Sequence, residues 1–258
     1  MVMEARRERR IRFSEMRQGN RDAFLNFCRE HLNLVTEYLT CSGLDSVNRI
    51  VSATQWVFRQ VWVQLGSARS PNDLEALLGE QLIKFGPLGA RTTGAERHLM
   101  SRLALLTPEE RLIIIAVDME GWPIARVATM LGLAEEQVRR WLFSARCDLT
   151  GFQFIGLSES EKKKMIGDCS RLGSGKVSKC IHHSKCREFF RQFKQGWLEC
   201  LPLLIDLRQD MRFSGEEASE LLAGIADLVE RDAPRQLPVG ARVRSFFSGR
   251  LFYRTRSC

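Results

Sequence analysis

No apolar run of about 18 residues occurs in the sequence, so no transmembrane helix is expected. The N-terminal MVMEARRERRIRF carries charge with no apolar stretch behind it and does not read as a secretory signal. A cytoplasmic protein is the expectation. Alternation at period two is almost lacking too. The exception is the tail, where VRSFF and RLFYR flank Ser248-Gly249 as a weak hairpin signal. Catalytic signatures are missing: there is no P-loop, no G-x-S-x-G, no H-E-x-x-H and no dinucleotide fingerprint. Gly173-x-Gly175-Lys lacks the P-loop spacing, and nothing about the four His suggests a triad. An enzyme is the least supported class.

The last 24 residues contain no acid. Residues 235–258 hold six Arg, a charge of +6, while residues 1–21 hold seven Arg against three Glu, a charge of +4. The body, 22–234, has 26 basic and 28 acidic residues and comes to −2. The basic excess therefore sits in two tails, and the body by itself should have little nonspecific grip on phosphates. The tails either serve nucleic-acid contact or are solubilising, disordered arms.

What is present fits a soluble globular chain. Its 258 residues, 44% hydrophobic and 27% charged, allow two or three small domains. In a reducing compartment the eight Cys (28, 41, 147, 169, 180, 186, 200 and 258) are thiols or metal ligands rather than disulfides.

Helical spacing dominates. Phe24, Phe27, Leu34 and Leu39, then Ile50, Val57, Val61 and Leu65, mark two helices broken by Cys41-Ser42-Gly43. GSARSPND, 66–73, reads as a loop with Asp73 as N-cap of a helix running to about Phe85. GPLGARTTGA, 86–95, is a linker signal, and the Lys-, Ser- and Gly-rich 156–178 reads as a second linker. Residues 179–231 are helical again, with Ser214 as an N-cap. The expected fold class is all-α. Its expected parts are a helical domain at 15–86, a second at 96–150, a C-terminal helical domain at 179–234 and a basic tail at 235–258.

Within 96–150 the constraints tighten. Thr107, Pro108 and Glu110 make a capping box with Pro at the first helical position. Gly121-Trp122-Pro123 ends that helix and begins the next. Ala128 is small where two helices cross, Gly132 follows where a left-handed turn residue is required, and Val138 comes six residues later. Val127, Leu131, Leu133, Val138 and Trp141 form the expected buried set of a helix-turn-helix whose second helix spans about Glu135 to Leu149. The competing reading is an αα-hairpin packed for structure alone. Ala134, Glu135, Glu136, Gln137, Arg139, Arg140 and Phe143 are expected to face outward. Gln137 suits adenine, and Arg139 and Arg140 suit guanine edges or phosphates. Phe143 and Arg146 complete the candidate DNA-binding set. The helix is neutral overall, so it should bind DNA weakly unless a larger assembly holds it in place.

These residues resemble a known family. LTPEER…VDMEGWPIARVATMLGLAEEQVRRWLFSARCDL is similar to region four, the promoter-reading domain, of RNA polymerase sigma factors of the extracytoplasmic-function type. Leu106, Pro108, Arg111, Gly121, Ala128, Leu131, Gly132, Val138, Ala145 and Arg146 fit the pattern. The departures are Ala134 for a Ser N-cap, Gln137 for Thr, Trp141 for a polar residue and Ser144 for Arg. The missing N-cap costs about 1 kcal/mol of helix stability. Upstream, 20–85 resembles region two in degenerate form. NRDAFLNFCREHLNLVTEYL is similar to its first helix, and Gln55, Phe58 and Trp62 match its Gln-x-x-Phe-x-x-x-Trp pattern. The resemblance implies polymerase binding through those three residues. The acidic cluster expected before that Gln reads IVSA. On spacing alone Trp56, Phe58 and Trp62 read as plain helix core.

CSRLGSGKVSKCIHHSKC, 169–186, brings Cys169, Cys180, His183 and Cys186 within 18 residues, a donor set suited to one structural zinc ion. His182-x3-Cys186 also resembles zinc-binding anti-sigma domains, with Phe189 where their last Cys falls. Three readings stand beside zinc: small buried apolar cysteines, a solvated basic face, or a Cys180–Cys186 redox pair. Zinc is the only cofactor candidate.

The expectation is therefore a sigma-like initiation factor that binds promoter DNA through its helix-turn-helix and recruits core RNA polymerase. The alternative is a degenerate sigma relative acting through protein contacts, with the C-terminal helices holding a regulatory protein or the chain's own helix-turn-helix. No membrane partner is expected.

Overall fold

A computed structural model describes residues 2–86, 95–152, 158–172 and 184–232, and the chain there is all-α, with no strand among the described residues. The helices are α1 Val2–Arg17, α2 Arg21–Cys41, α3 Val47–Val63, α4 Pro71–Ile83, α5 Ala95–Leu105, α6 Pro108–Ile114, α7 Ile124–Leu131, α8 Glu135–Thr150, α9 Glu159–Leu172, α10 Ser184–Met211 and α11 Gly215–Arg231. A 3-10 turn, Leu65–Ser67, follows α3, and α6 runs on into a π-helical segment, Ile115–Met119. The tail hairpin lies outside the described residues.

Helix α2 is the centre of the fold. Asn20 caps it, its side-chain oxygen accepting from the Ala23 amide at 3.1 Å. From His31 onward nearly every residue of α2 is buried, because α3, α4, α10 and α11 pack around it. A helix apolar on one face only cannot tolerate that; α2 offers Leu32, Leu34, Val35, Tyr38 and Leu39 on successive faces. One continuous apolar core runs from Phe13 in α1 through α2–α8 to Val229 in α11, so the three helical segments separated by linker-like sequence pack on one another.

Two expectations need correction. The cap of α4 is Ser70, not Asp73: Ser70 Oγ accepts from the Asp73 amide at 3.2 Å, and Pro71 opens the helix. Asp73 sits at the third helical position and accepts from the Arg69 amide at 2.8 Å. The second linker is largely helix. Ser158 and Glu161 form a capping box (2.8 and 3.3 Å), and α9 docks on α8 by burying Met165 against Phe143, Cys147 and Phe193. Lys and Glu are good helix formers, so the charged composition that suggested a linker is equally compatible with a surface helix.

Polar side chains pin these layers together. Arg111 is fully buried among neutral partners. It donates to the carbonyls of Leu103 (2.9 Å), Ala104 (2.9 Å) and Leu106 (3.0 Å) and to Ser42 Oγ (2.8 Å), and lies over the Tyr38 ring. It thus closes the orphan carbonyls at the end of α5 and ties them to α2. Glu37 of α2 is fully buried, 3.7 Å from Arg208 of α10 and 3.6 Å from Arg212 just past its end. Both arginines bond directly to Glu120 instead, at 2.7 and 2.9 Å. Burial first, then repulsion from Glu120, push the Glu37 carboxyl up to about 8 against the pull of the two arginines.

Candidate nucleic-acid interface

The helix-turn-helix forms because local signals agree. Thr107 Oγ1 accepts from the Glu110 amide at 3.2 Å while Glu110 returns a carboxylate to the Thr107 amide, also at 3.2 Å. The chain reverses at Gly121 (φ 69°), and the Trp122 amide donates to the Ala116 carbonyl at 2.8 Å. Helix α7 then ends at Gly132, φ 64° and ψ 29°. The Leu133 amide reaches back to the Ala128 carbonyl at 2.9 Å and the Gly132 amide to Thr129 at 3.2 Å, the paired bonds of a left-handed helix cap. Ala134 enters α8 extended and makes no side-chain cap bond, as its lack of a hydroxyl requires.

Val127, Ala128, Leu131, Val138, Leu142 and Ala145 are buried between the helices, whereas Leu133 and Trp141 are only half-buried. Ala134, Glu135, Gln137 and Arg140 are exposed and Glu136 and Arg139 partly so. Arg139 pairs with Glu135 at 3.3 Å and Arg140 with Glu136 at 3.4 Å, each one turn apart. The outer face is thus a self-neutralised set of ion pairs. Exposed pairs of this kind are worth about 0–1 kcal/mol, so phosphate or guanine can displace the glutamates at small cost.

Phe143 and Arg146 are not on that face. Phe143 is buried, its ring 4.6 Å from that of Phe193, among Cys147 and Met165. A wheel drawn on the two-helix unit alone leaves it outward; α9 and α10 cover that side. Phe189, Phe190 and Trp197 of α10 pack against this same small core. Arg146 grips Asp118 through two hydrogen bonds, one at 3.0 Å, and lies 4.9 Å over the Trp197 ring. Burial pushes the Asp118 carboxyl up against the pull of Arg146.

One cluster carries no local sequence signal. Arg126 of α7 donates to Glu75 of α4 (2.8 and 3.0 Å) and to His31 Nε2 of α2 at 2.9 Å, while stacking 3.5 Å over Trp122. His31 Nδ1 lies 2.8 Å from the Phe27 carbonyl, which assigns the proton to Nδ1 and leaves Nε2 as acceptor. Burial raises Glu75, but the charge and two hydrogen bonds of Arg126 outweigh it and hold the carboxyl below its ordinary range. This cluster fixes the first helix of the helix-turn-helix onto α2 and α4.

In the upstream unit, Phe58 and Trp62 are buried, with Trp62 tilted 4.9 Å from Phe24. Trp62 Nε1 donates to the Asp232 carbonyl beyond α11, and Gln55 is half-buried beside Gly224 of α11. Trp56 is partly exposed with its edge on Phe85. Of the zinc candidates, Cys180 and His183 lie outside the described residues. The side chains of Cys169, late in α9, and Cys186, early in α10, lie outside them as well. Among the described residues no group of three or more His, Cys, Asp or Glu side chains is gathered to hold a metal, and no helix is long and apolar enough to cross a membrane.

Fold and site together define a helix-turn-helix held on a helical body. Residues 97–149 match the family described as Sigma-70, region 4, which supports a sigma-factor-like, DNA-binding role for this unit. No curated protein and no solved structure matches the chain.

Proposed function

We propose that the protein is a transcription initiation factor of the sigma type, reading promoter DNA with the exposed first half of α8 and recruiting core RNA polymerase. The observation that carries this is the coincidence of the region-four match over 97–149 with a helix-turn-helix whose Gln137, Arg139 and Arg140 remain accessible. Gln137 suits an adenine edge and the two arginines suit guanine or phosphate. Phe143 and Arg146 are assigned to holding α8 rather than to touching DNA. Because α8 is neutral, affinity comes from placement by the polymerase rather than from bulk charge. Gln55, Phe58 and Trp62 mark the helix that meets the polymerase. The test is to mix the purified chain with core polymerase on a fragmented genomic template. Co-elution with the polymerase and new, chain-dependent transcript starts are expected. Co-elution without transcripts would favour a regulator acting through protein contacts, and neither would discard the reading.

A further inference from the structure

We propose that α11 is a built-in cover, occupying the face of α2 and α3 that the polymerase would otherwise take, so that the free chain binds it measurably but more weakly than an uncovered chain would. This rests on the reading of α3 as the polymerase-facing helix. Helix α11 is amphipathic: Leu221, Ile225 and Val229 recur every four residues and are buried at 2%, 1% and 1% exposure against α2 and α3. The seat is close. A Cβ on Gly224 would fall 2.3 Å from Gln55 Nε2, so a larger residue there has to push that side-chain tip aside. Two of the three α3 residues that resemble the polymerase-binding pattern therefore contact this C-terminal element directly: Gln55 beneath Gly224, and Trp62 through its indole N–H to Asp232.

The rim of the seat is electrostatic and open to water. Arg21 meets Glu230 at 3.2 Å with both side chains about half exposed or more, and Arg59 meets Asp232. Such contacts are weak singly and screened by salt. The other end of α11 is tethered by a three-residue connection after α10, and the Ser214–Glu217 capping box (2.8 and 3.3 Å) closes its first turn. A helix held at its start, with a small residue in the middle of its seat and a screened rim at its end, is built to lift as a unit. What fits the vacated groove is another amphipathic helix with the same four-residue apolar stripe, here supplied by the polymerase.

The test uses the full chain. Gly224→Leu wedges the seat, and Glu230→Lys with Asp232→Lys reverses the rim. Neither alters α3 or α8. Hydrogen exchange over 215–231 reports release of α11, and titration with core polymerase reports affinity. The expected result is faster exchange in both variants and polymerase binding at least tenfold tighter than wild type. Adding Gln55→Ala to either variant should cancel that gain. Faster exchange with polymerase affinity unchanged overturns the cover while leaving the reading of α3 intact. Exchange unchanged in both variants also overturns it, because a helix that survives both perturbations does not lift. If no variant binds polymerase, the reading of α3 fails and the cover falls with it.

Discussion

Replacing Arg111 with Met tests how the helix-turn-helix is tied to the body. The guanidinium makes four hydrogen bonds, three to carbonyls at the end of α5 and one to Ser42 Oγ in the turn after α2. Burial pulls its pKa down, yet an arginine at this depth stays cationic. Met keeps the bulk and removes every donor. Each buried carbonyl left without a partner costs about 1–3 kcal/mol. Part of that is returned because a charge no longer has to be desolvated, and relaxation lets water reach some of the carbonyls. A net loss of about 3–5 kcal/mol is expected, the usual range for breaking a buried charged network. In a chain this long that corresponds to roughly 10 °C in melting temperature. Urea and thermal unfolding of the full chain read it out. Arg111→Lys retains the charge but only a point donor, and should lose about half as much. A melting temperature for Arg111→Met within about 2 °C of wild type, less than 1 kcal/mol, would refute the tie.

Gly132→Val places a β-branched residue at φ 64° and should lower stability by about 2 kcal/mol or more, with Gly132→Ala losing less; equal melting temperatures would contradict the turn. Glu37→Gln should change how stability depends on pH. Glu37 titrates near 8 in the fold and near 4.5 unfolded, so the native state holds the extra proton between those values and wild-type stability falls as pH rises through that window. The variant should match wild type near pH 4.5 and gain on it by at most about 1.4 kcal/mol per pH unit until pH 8, as followed by thermal melts. A constant difference across pH would rule this out. If Cys169, Cys180, His183 and Cys186 hold zinc, elemental analysis should find about one ion per chain, absent from Cys180→Ser and Cys186→Ser but kept in His182→Ala. Protein purified under reducing conditions without chelator and found metal-free would end that proposal.

Much of the fold was legible because its signals are local. The Thr107–Glu110 box, the Ser214 cap, the Gly132 turn and the break after Cys41 each depend on a few neighbouring residues, and each stands where the pattern put it. The start of α9 carried the same kind of signal in Ser158 and Glu161, hidden by composition. Tertiary packing was not legible. Phe143 looks outward from a two-helix unit and turns inward once Phe193 and Met165 arrive from helices at least 15 residues downstream. The Arg126–Glu75–His31 cluster joins side chains on three helices that lie 44 or more residues apart in the chain, and no spacing rule anticipates it. Gln55 and Trp62 fit a sequence pattern, but their meeting with α11 and Asp232 depends on how the C-terminal helices fold back.

The most direct measurement of the central claim is the affinity of the full chain, with core polymerase, for a DNA site selected from a random pool. Arg139→Ala/Arg140→Ala should weaken binding by about 1–3 kcal/mol for each guanine edge that an arginine reads, and less if the arginines meet phosphate, with the melting temperature unchanged. Arg146→Gln should do the reverse, lowering the melting temperature by removing the Asp118 bonds and leaving DNA affinity nearly intact whenever the chain is folded. If the double variant binds and transcribes like wild type, the exposed half of α8 does not read DNA and the account is wrong.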